Sequence, residues 1–314
     1  MTAFSRIVPG SIIAVLLTAG TVVVLTAQIP AVPKPPPAGV RLVENLAYRE
    51  GNPKWVLDLA MPEKAATAPR AALLIVHGGG WSGGDKTVEQ FRDVMFAAAQ
   101  KGYVAVSINY RLKGEAKFPA CIQDVRAAVR WLRANAGKYH VDPDRIASYG
   151  QSAGAHLAVL AGLLGDDWEL DPTPVGAPSA RLQACVGAAT PANFNLPDLE
   201  PEGRGLLPEF TAHWKNAASP THYVTTSTIP VCLIHGTADR IVPSVQAQNL
   251  YDALRAAGGA AAAGAELHLI DGGAHSLARA DAGHTYWRKV HSLLFDFLAA
   301  RLGKAQPVTM RRTP

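Results

Sequence analysis

The pentapeptide Gly150-Gln151-Ser152-Ala153-Gly154 is where residue types and spacing first suggest chemistry in this chain. It follows the apolar run Arg145 to Tyr149 and precedes the helix-like stretch Ala155 to Ala161. A strand, a tight turn and a helix in that order press the serine into strained backbone space, which only side-chain-free neighbours accommodate. Its hydroxyl then stands clear beside a helix N-terminus, whose unpaired amides and partial positive charge suit an oxyanion. The chemistry this suggests is acyl transfer through a serine.

A serine hydroxyl is a weak nucleophile until a base takes its proton and a third group fixes that base. In an open α/β sheet such groups lie beyond the carboxyl ends of the strands. Asp239 follows the run that begins at Val231, and His275 follows the run that begins at Glu266. The chain order is then Ser152, Asp239, His275. Asp271 is the rival acid, but it shares a loop with His275. His156, His235, His268, His284 and His291 fall in or next to helices and strands, and are read as packed or surface side chains. An oxyanion needs preorganised donors. The amide of Ala153 supplies one, and those of Gly79 and Gly80 in His77-Gly78-Gly79-Gly80-Trp81 supply the others. His77 is read as a brace for this loop. Trp81, Phe194 and Trp214 are the aromatic residues expected to wall the substrate pocket, with packing as the alternative for Trp81.

These groups need strands and helices to position them. Val40 to Tyr48 and Trp55 to Met61 read as two strands around the turn Glu50-Gly51-Asn52-Pro53. Runs apolar on both faces follow at Ala71–Val76, Tyr103–Ile108, Arg145–Tyr149, Ala184–Ala189, Val231–Ile234 and Glu266–Ile270. Such runs fit parallel strands covered on both sides. Helical patterns lie between or after them at Val88–Lys101, Cys121–Ala136, Ser152–Leu164, Val245–Ala257 and Tyr286–Arg301. The alternation predicts an α/β fold: an eight-stranded, mostly parallel sheet with helices on both faces and one antiparallel edge. The long connection 191–228 is expected to be a small cap.

The chain has 314 residues, 48% of them apolar, which suffices for one large α/β domain over 40–303. Its net charge of +5 is mild, and no basic cluster is interleaved with aromatics, so nucleic acid is not an expected partner. Arg6 precedes a charge-free apolar stretch, 7–27, that ends in Leu25-Thr26-Ala27. Residues 1–27 therefore read as a signal peptide or, uncleaved, as a membrane anchor; either places the rest outside the cytoplasm. The prolines at 30, 33, 35, 36 and 37 make 28–39 a stiff linker, and 304–314 reads as a disordered tail. Cys121, Cys185 and Cys232 allow at most one bridge. Cys185 and Cys232 sit in apolar strand-like runs, with no metal-ligand spacing.

Taken together, the chain resembles the α/β-hydrolase superfamily, on the side of hormone-sensitive-lipase-like esterases and most closely the bacterial feruloyl-esterase-like (BD-FAE-type) group. The resemblance rests on His77 to Trp81, Asn109-Tyr110-Arg111-Leu112, Phe118-Pro119-Ala120 leading to Asp124, and Gly150 to Leu157. It continues through Ala218-Ser219-Pro220, His235 to Asp239 with Val242-Pro243, and Gly273-Ala274-His275. The resemblance implies hydrolysis of small carboxylic esters, including acyl groups on polysaccharide, through an acyl-serine without metal or cofactor. It puts Ser152, Asp239, His275 and the amides of Gly79, Gly80 and Ala153 at the family's functional positions. Asp124 recurs in the pattern and is read as structural. Ala155 stands where many relatives have a third elbow glycine, a version shared with formamidase and methylesterase relatives. An arylformamidase-type amidase is therefore the alternative, and a non-catalytic binding protein a more distant one.

Overall fold

Ala72, Leu74 and Val76 face one way and Ala71, Leu73 and Ile75 the other, and all six are buried. A strand whose successive side chains point to opposite faces can bury both sets only when helices cover both sides of the sheet. That requirement shapes the fold. The computed structural model describes residues 11–18, 21–28, 34–166, 168–196, 214–277 and 285–303.

Two units divide the chain, residues 1–35 and 36–314. In the first, β1 (Ser11–Thr18) and β2 (Thr21–Gln28) pair antiparallel with Ser11 opposite Gln28. Within the apolar stretch expected as a leader, the described residues are these two paired strands. Ile12, Ile13, Val15, Val22, Val23 and Val24 give it β-branched composition, which favours extended backbone. Among the described residues no helix is long and apolar enough to cross a membrane.

The second unit begins with β3 (Val40–Ala47), β4 (Val56–Pro62) and β5 (Arg70–Val76). Helix α1 (Glu89–Gln100), strand β6 (Val104–Ile108), helix α2 (Ala120–Ala134) and the short α3 (Ala136–Tyr139) follow. Next come β7 (Val141–Gln151), α4 (Ala153–Leu163), β8 (Ala184–Ala188), the short α5 (Lys215–Ala218) and β9 (Val231–Gly236). Helix α6 (Val245–Ala257), α7 (Gly259–Gly264), β10 (Ala265–Ile270) and α8 (Thr285–Leu302) complete it.

The eight strands form one sheet in the order β10-β9-β8-β7-β5-β6-β4-β3. Strands β5 to β10 are parallel, and β4 runs antiparallel to both β6 and β3. This is the α/β-hydrolase sheet. Helices α2, α4 and α6 cover one face and α1 and α8 the other. Helix α4 is buried from Ala153 through Gly162, and its Ala, Gly and Leu content leaves no polar face to expose.

Two departures from the sequence reading stand out, and two expectations lie partly or wholly outside the described residues. Strand β7 starts at Val141, four residues earlier than its apolar run, because Val141 pairs with Arg70 ahead of a register shift. Helices α3, α5 and α7 were not anticipated; each is too short to show a helical period. Of the expected cap, only the two ends are described: 191–196, and 214–228 with α5 and a 3-10 turn (Pro220–Tyr223). Residues 197–213 and the expected tail 304–314 lie outside the described residues.

Candidate active site

Ser152 lies between β7 and α4 with φ 56° and ψ −125°, a backbone state that non-glycine residues rarely adopt. Its amide donates to the carbonyl of Ala188 at the end of β8 (2.9 Å), which anchors the turn on the sheet. The turn is tight because α4 starts almost against β5: a Cβ on Gly154 would stand 2.1 Å from the carbonyl oxygen of Val76. Gly154→Ala is therefore expected to push α4 off the sheet and to cost about 3 kcal/mol or more. Chemical denaturation measures it, and a stability within 1 kcal/mol of wild type would contradict this packing.

Asp239 follows β9 and His275 follows β10, so the parallel sheet delivers both to the rim that carries Ser152. His275 Nε2 lies 2.9 Å from Ser152 Oγ, and its Nδ1 lies 2.8 Å from Asp239 Oδ2. The structure thus brings these three residues together. Asp271 is instead tied to Thr237, whose hydroxyl donates to it at 3.3 Å.

Asp239 is saturated with donors. Its Oδ1 accepts the amides of Ile241 and Val242, both at 2.9 Å. Its Oδ2 takes His275 at 2.8 Å, and His235 Nε2, which donates to the Val242 carbonyl at 2.8 Å, also lies within 3.3 Å of it. Burial pushes this carboxyl up, but the hydrogen bonds from His235 and His275, the nearby His275 charge and the Val242 amide outweigh it. The carboxyl is held well below the usual carboxylate range. His235, read from sequence as a packed strand residue, is therefore a second imidazole on the same carboxylate.

Gly79 and Gly80 sit across from the serine in the loop after β5, at φ 125° and 59°. A side chain at Gly79 would strike the carbonyl of Gly83, at 2.1 Å from its Cβ. Ala153 is the first residue of α4, where a helix amide has no acceptor within the helix. His77 is buried, stacks on Tyr110 at 4.4 Å and lies 2.8 Å from the Gly78 carbonyl through Nδ1. Burial lowers its pKa. Asp124 stays away from this rim: it takes the Arg111 guanidinium at 2.7 Å through each oxygen.

A cavity of about 440 Å³ opens at Ser152 and His275, and Gly79, Gly80, Val88, Phe91, Gln151 and Ile241 help to line it. Val88 and Ile241 are 39% and 40% exposed and give the cavity an open apolar wall. The expected pocket residues do not line this cavity. Trp81 and Phe194 are buried in the core, and half-buried Trp214 packs against Phe118 at 5.6 Å. The cause is polar: Trp81 Nε1 donates to His156 Nδ1 at 3.1 Å, drawing the indole inward.

Sequence reasoning also missed a pair of amides. Gln90 on α1 donates to Gln151 Oε1 (2.6 Å), and Gln151 Nε2 donates to the carbonyl of His275 (3.0 Å). The variable position of the elbow thereby steadies the histidine loop.

Cys232, Glu266 and His268 bring one ligand atom each within 4.8 Å of one another, a set invisible in linear spacing because β9 and β10 place Cys232 opposite Glu266. Glu266 is already engaged by Arg301 (3.2 Å) and His268 (3.3 Å), and burial pushes the Cys232 thiol far up. This is an ion-pair cluster with a neutral thiol beside it. All three cysteines are free and buried.

Sheet order, strained serine and the neighbouring histidine and aspartate define an α/β-hydrolase. Within that class the chain belongs to the family described as BD-FAE, which matches residues 57–254. It is 34% identical over 253 residues to Esterase LipQ of Mycobacterium tuberculosis, covering 76% of this chain and 59% of that protein. Esterase LipC of the same organism is 30% identical, covering 65% and 53%. The chain thus spans little more than half the length of these curated relatives. Among solved structures it resembles propionate-bound Est2, an esterase from Thermogutta terrifontis (TM-score 0.70, 26% identity, 86% of this chain and 97% of that one). A truncated carbohydrate esterase from gut microbiota shares the fold (TM-score 0.67, 24% identity, covering 85% and 100%).

Proposed function

We propose that the protein is an exported carboxylic ester hydrolase that cleaves small acyl esters through an acyl-serine. The observation that carries this reading is the unbroken line of hydrogen bonds from Asp239 through His275 to Ser152 at the mouth of a small, largely apolar cavity. Ser152 Oγ attacks the ester carbonyl carbon while His275 Nε2 takes the hydroxyl proton. The carbonyl oxygen becomes an oxyanion held by the amides of Gly79, Gly80 and Ala153. As the C–O bond to the alcohol breaks, His275 returns its proton to the departing oxygen. A water deprotonated by the same imidazole then releases the acid and frees Ser152. Asp239 keeps Nδ1 protonated throughout, so that Nε2 remains the acceptor.

The esterase names of the 30–34% identical relatives and the propionate in Est2 support this substrate class. Val88, Phe91 and Ile241 offer the acyl group an apolar wall, and the propionate in Est2 supports a short acyl chain. Arg6, the uncharged stretch 7–27 and the prolines after it support export, with cleavage or anchoring decided by the mass of the mature protein in a membrane fraction.

A panel of p-nitrophenyl esters from acetate to decanoate tests the reading, run beside methyl ferulate, acetylated xylan and N-formylkynurenine. We expect kcat/KM to fall about tenfold or more between butyrate and decanoate. Faster turnover of decanoate would overturn the short-acyl assignment, and preference for N-formylkynurenine would make the enzyme an amidase using the same side chains.

A further inference from the structure

His156 is wholly buried one turn into α4, its amide donating to the Ser152 carbonyl at 3.0 Å, and the proposed reaction gives it no task. Its ring is nevertheless used on both sides. Nδ1 accepts the indole N–H of Trp81 at 3.1 Å, and Nε2 donates to the carbonyl of Ala218 at 2.7 Å. An imidazole that accepts at one nitrogen and donates at the other is fixed in a single neutral tautomer. Burial supports this by pushing its pKa down to about 4.

Each partner belongs to a segment that matters at the site. Trp81 is the residue after Gly80 and shares its left-handed backbone, with φ 57° against 59°. A bulky residue keeps that conformation only when its surroundings over-determine it. The bond to His156 is one such restraint, and the bond from the Lys113 amide to the Trp81 carbonyl (2.7 Å) is another. Ala218 ends α5, where the chain returns from the 197–213 segment. The other end of that connection meets the same ring: Phe194 packs edge-on against His156 at 5.0 Å, and its amide donates to Ser219 Oγ at 2.9 Å. One imidazole therefore touches the glycine loop, the nucleophile helix and both ends of the 191–228 connection.

From this geometry we infer that His156 is a positioning residue: Nδ1 holds Gly79 and Gly80 in place through Trp81, and Nε2 ties the described ends of the connection, 191–196 and 214–228, to α4 through Ala218. The inference rests on the ester-hydrolase reading above, and its two halves separate experimentally. An asparagine at 156 can offer an oxygen near the Nδ1 position but cannot reach Ala218. A glutamine can bring an amide near the Nε2 position while leaving the Trp81 N–H without its acceptor.

His156→Gln is expected to lose about 10²-fold in kcat with KM within about threefold, because a displaced oxyanion loop acts on the transition state. His156→Asn is expected to keep kcat and KM within about threefold and to lower the melting temperature by about 2–4 °C, because it severs only the tie to Ala218. Trp81→Phe, which retains the ring but not the N–H, should match His156→Gln, and the double variant should add little. The indole N–H resonance of Trp81, assigned by its loss in Trp81→Phe, supplies a readout independent of turnover. It should shift in His156→Gln and hold in His156→Asn. Equal kcat losses in the Asn and Gln variants, or an indole signal indifferent to both, would overturn the inference. An inactive wild type with the expected indole shifts would instead count against the ester-hydrolase reading alone.

Discussion

Ser152→Ala is expected to lower kcat by about six orders of magnitude while leaving the fold intact. The two halves of that statement have separate causes. The hydroxyl is the only atom removed, and its partner is His275 Nε2, so no other hydrogen bond shown at the turn is lost. The amide bond from residue 152 to Ala188 and the strained φ of 56° persist, since alanine carries the same Cβ. Thermal unfolding should therefore change little. Chemistry should change almost completely, because among the described residues Ser152 Oγ is the hydroxyl hydrogen-bonded to His275 Nε2. A residual acceleration of about 10³–10⁴ over water is expected from the amides that still face the carbonyl. Rapid mixing with p-nitrophenyl acetate gives the clearest test. Wild type should release a stoichiometric burst and carry one extra acetyl mass on the peptide containing residue 152, and the alanine variant should show neither. A variant that keeps the burst would remove Ser152 from the mechanism.

Much of the architecture was legible because its signals are local. Continuous apolar runs marked the six parallel strands of the large sheet, and the glycines around Ser152 marked a turn that forces a serine into strained space. Asp239 and His275 could be read because parallel strands deliver their trailing loops to one rim, so position after a strand stands in for position in space. What stayed hidden depends on segments far apart in the chain. The Gln90–Gln151 contact spans 61 residues and the Gln151–His275 contact 124, and neither leaves a trace in periodicity. Trp81 reads as a pocket wall, with packing as the alternative, and sequence offers nothing to decide between them. A buried histidine 75 residues away turns it inward instead, and the wall falls to Val88, Phe91 and Ile241. The β1–β2 hairpin is a conflict of another kind: the charge pattern of 7–27 speaks of export, whereas its β-branched content favours extended backbone.

Asp239→Asn is expected to lower kcat by about 10⁴-fold through a proton in the wrong place. The carboxylate accepts at both oxygens, from two amides on Oδ1 and from His275 and His235 on Oδ2. Asparagine keeps an acceptor for the Ile241 and Val242 amides, so its NH₂ must face the two imidazoles. That NH₂ donates to His275 Nδ1, which drives the ring proton to Nε2, where it points at Ser152 and can no longer receive the hydroxyl proton. His235 keeps its proton on Nε2, because the Val242 carbonyl accepts it at 2.8 Å, so the reversal is confined to His275. Substrate still binds, so KM should stay within about threefold while kcat collapses. Acid titration distinguishes this from general damage. Because the folded-state pKa of Asp239 is depressed, the unfolded chain takes up its proton first as pH falls below about 4. The stability this carboxylate contributes is thus complete above that value and lost as pH falls through the folded pKa. The Asn variant lacks that dependence, so its deficit in melting temperature against wild type should narrow steadily from pH 5 downward. A deficit that stays constant to the acid limit would mean that the ionised carboxylate contributes nothing to holding the three side chains together.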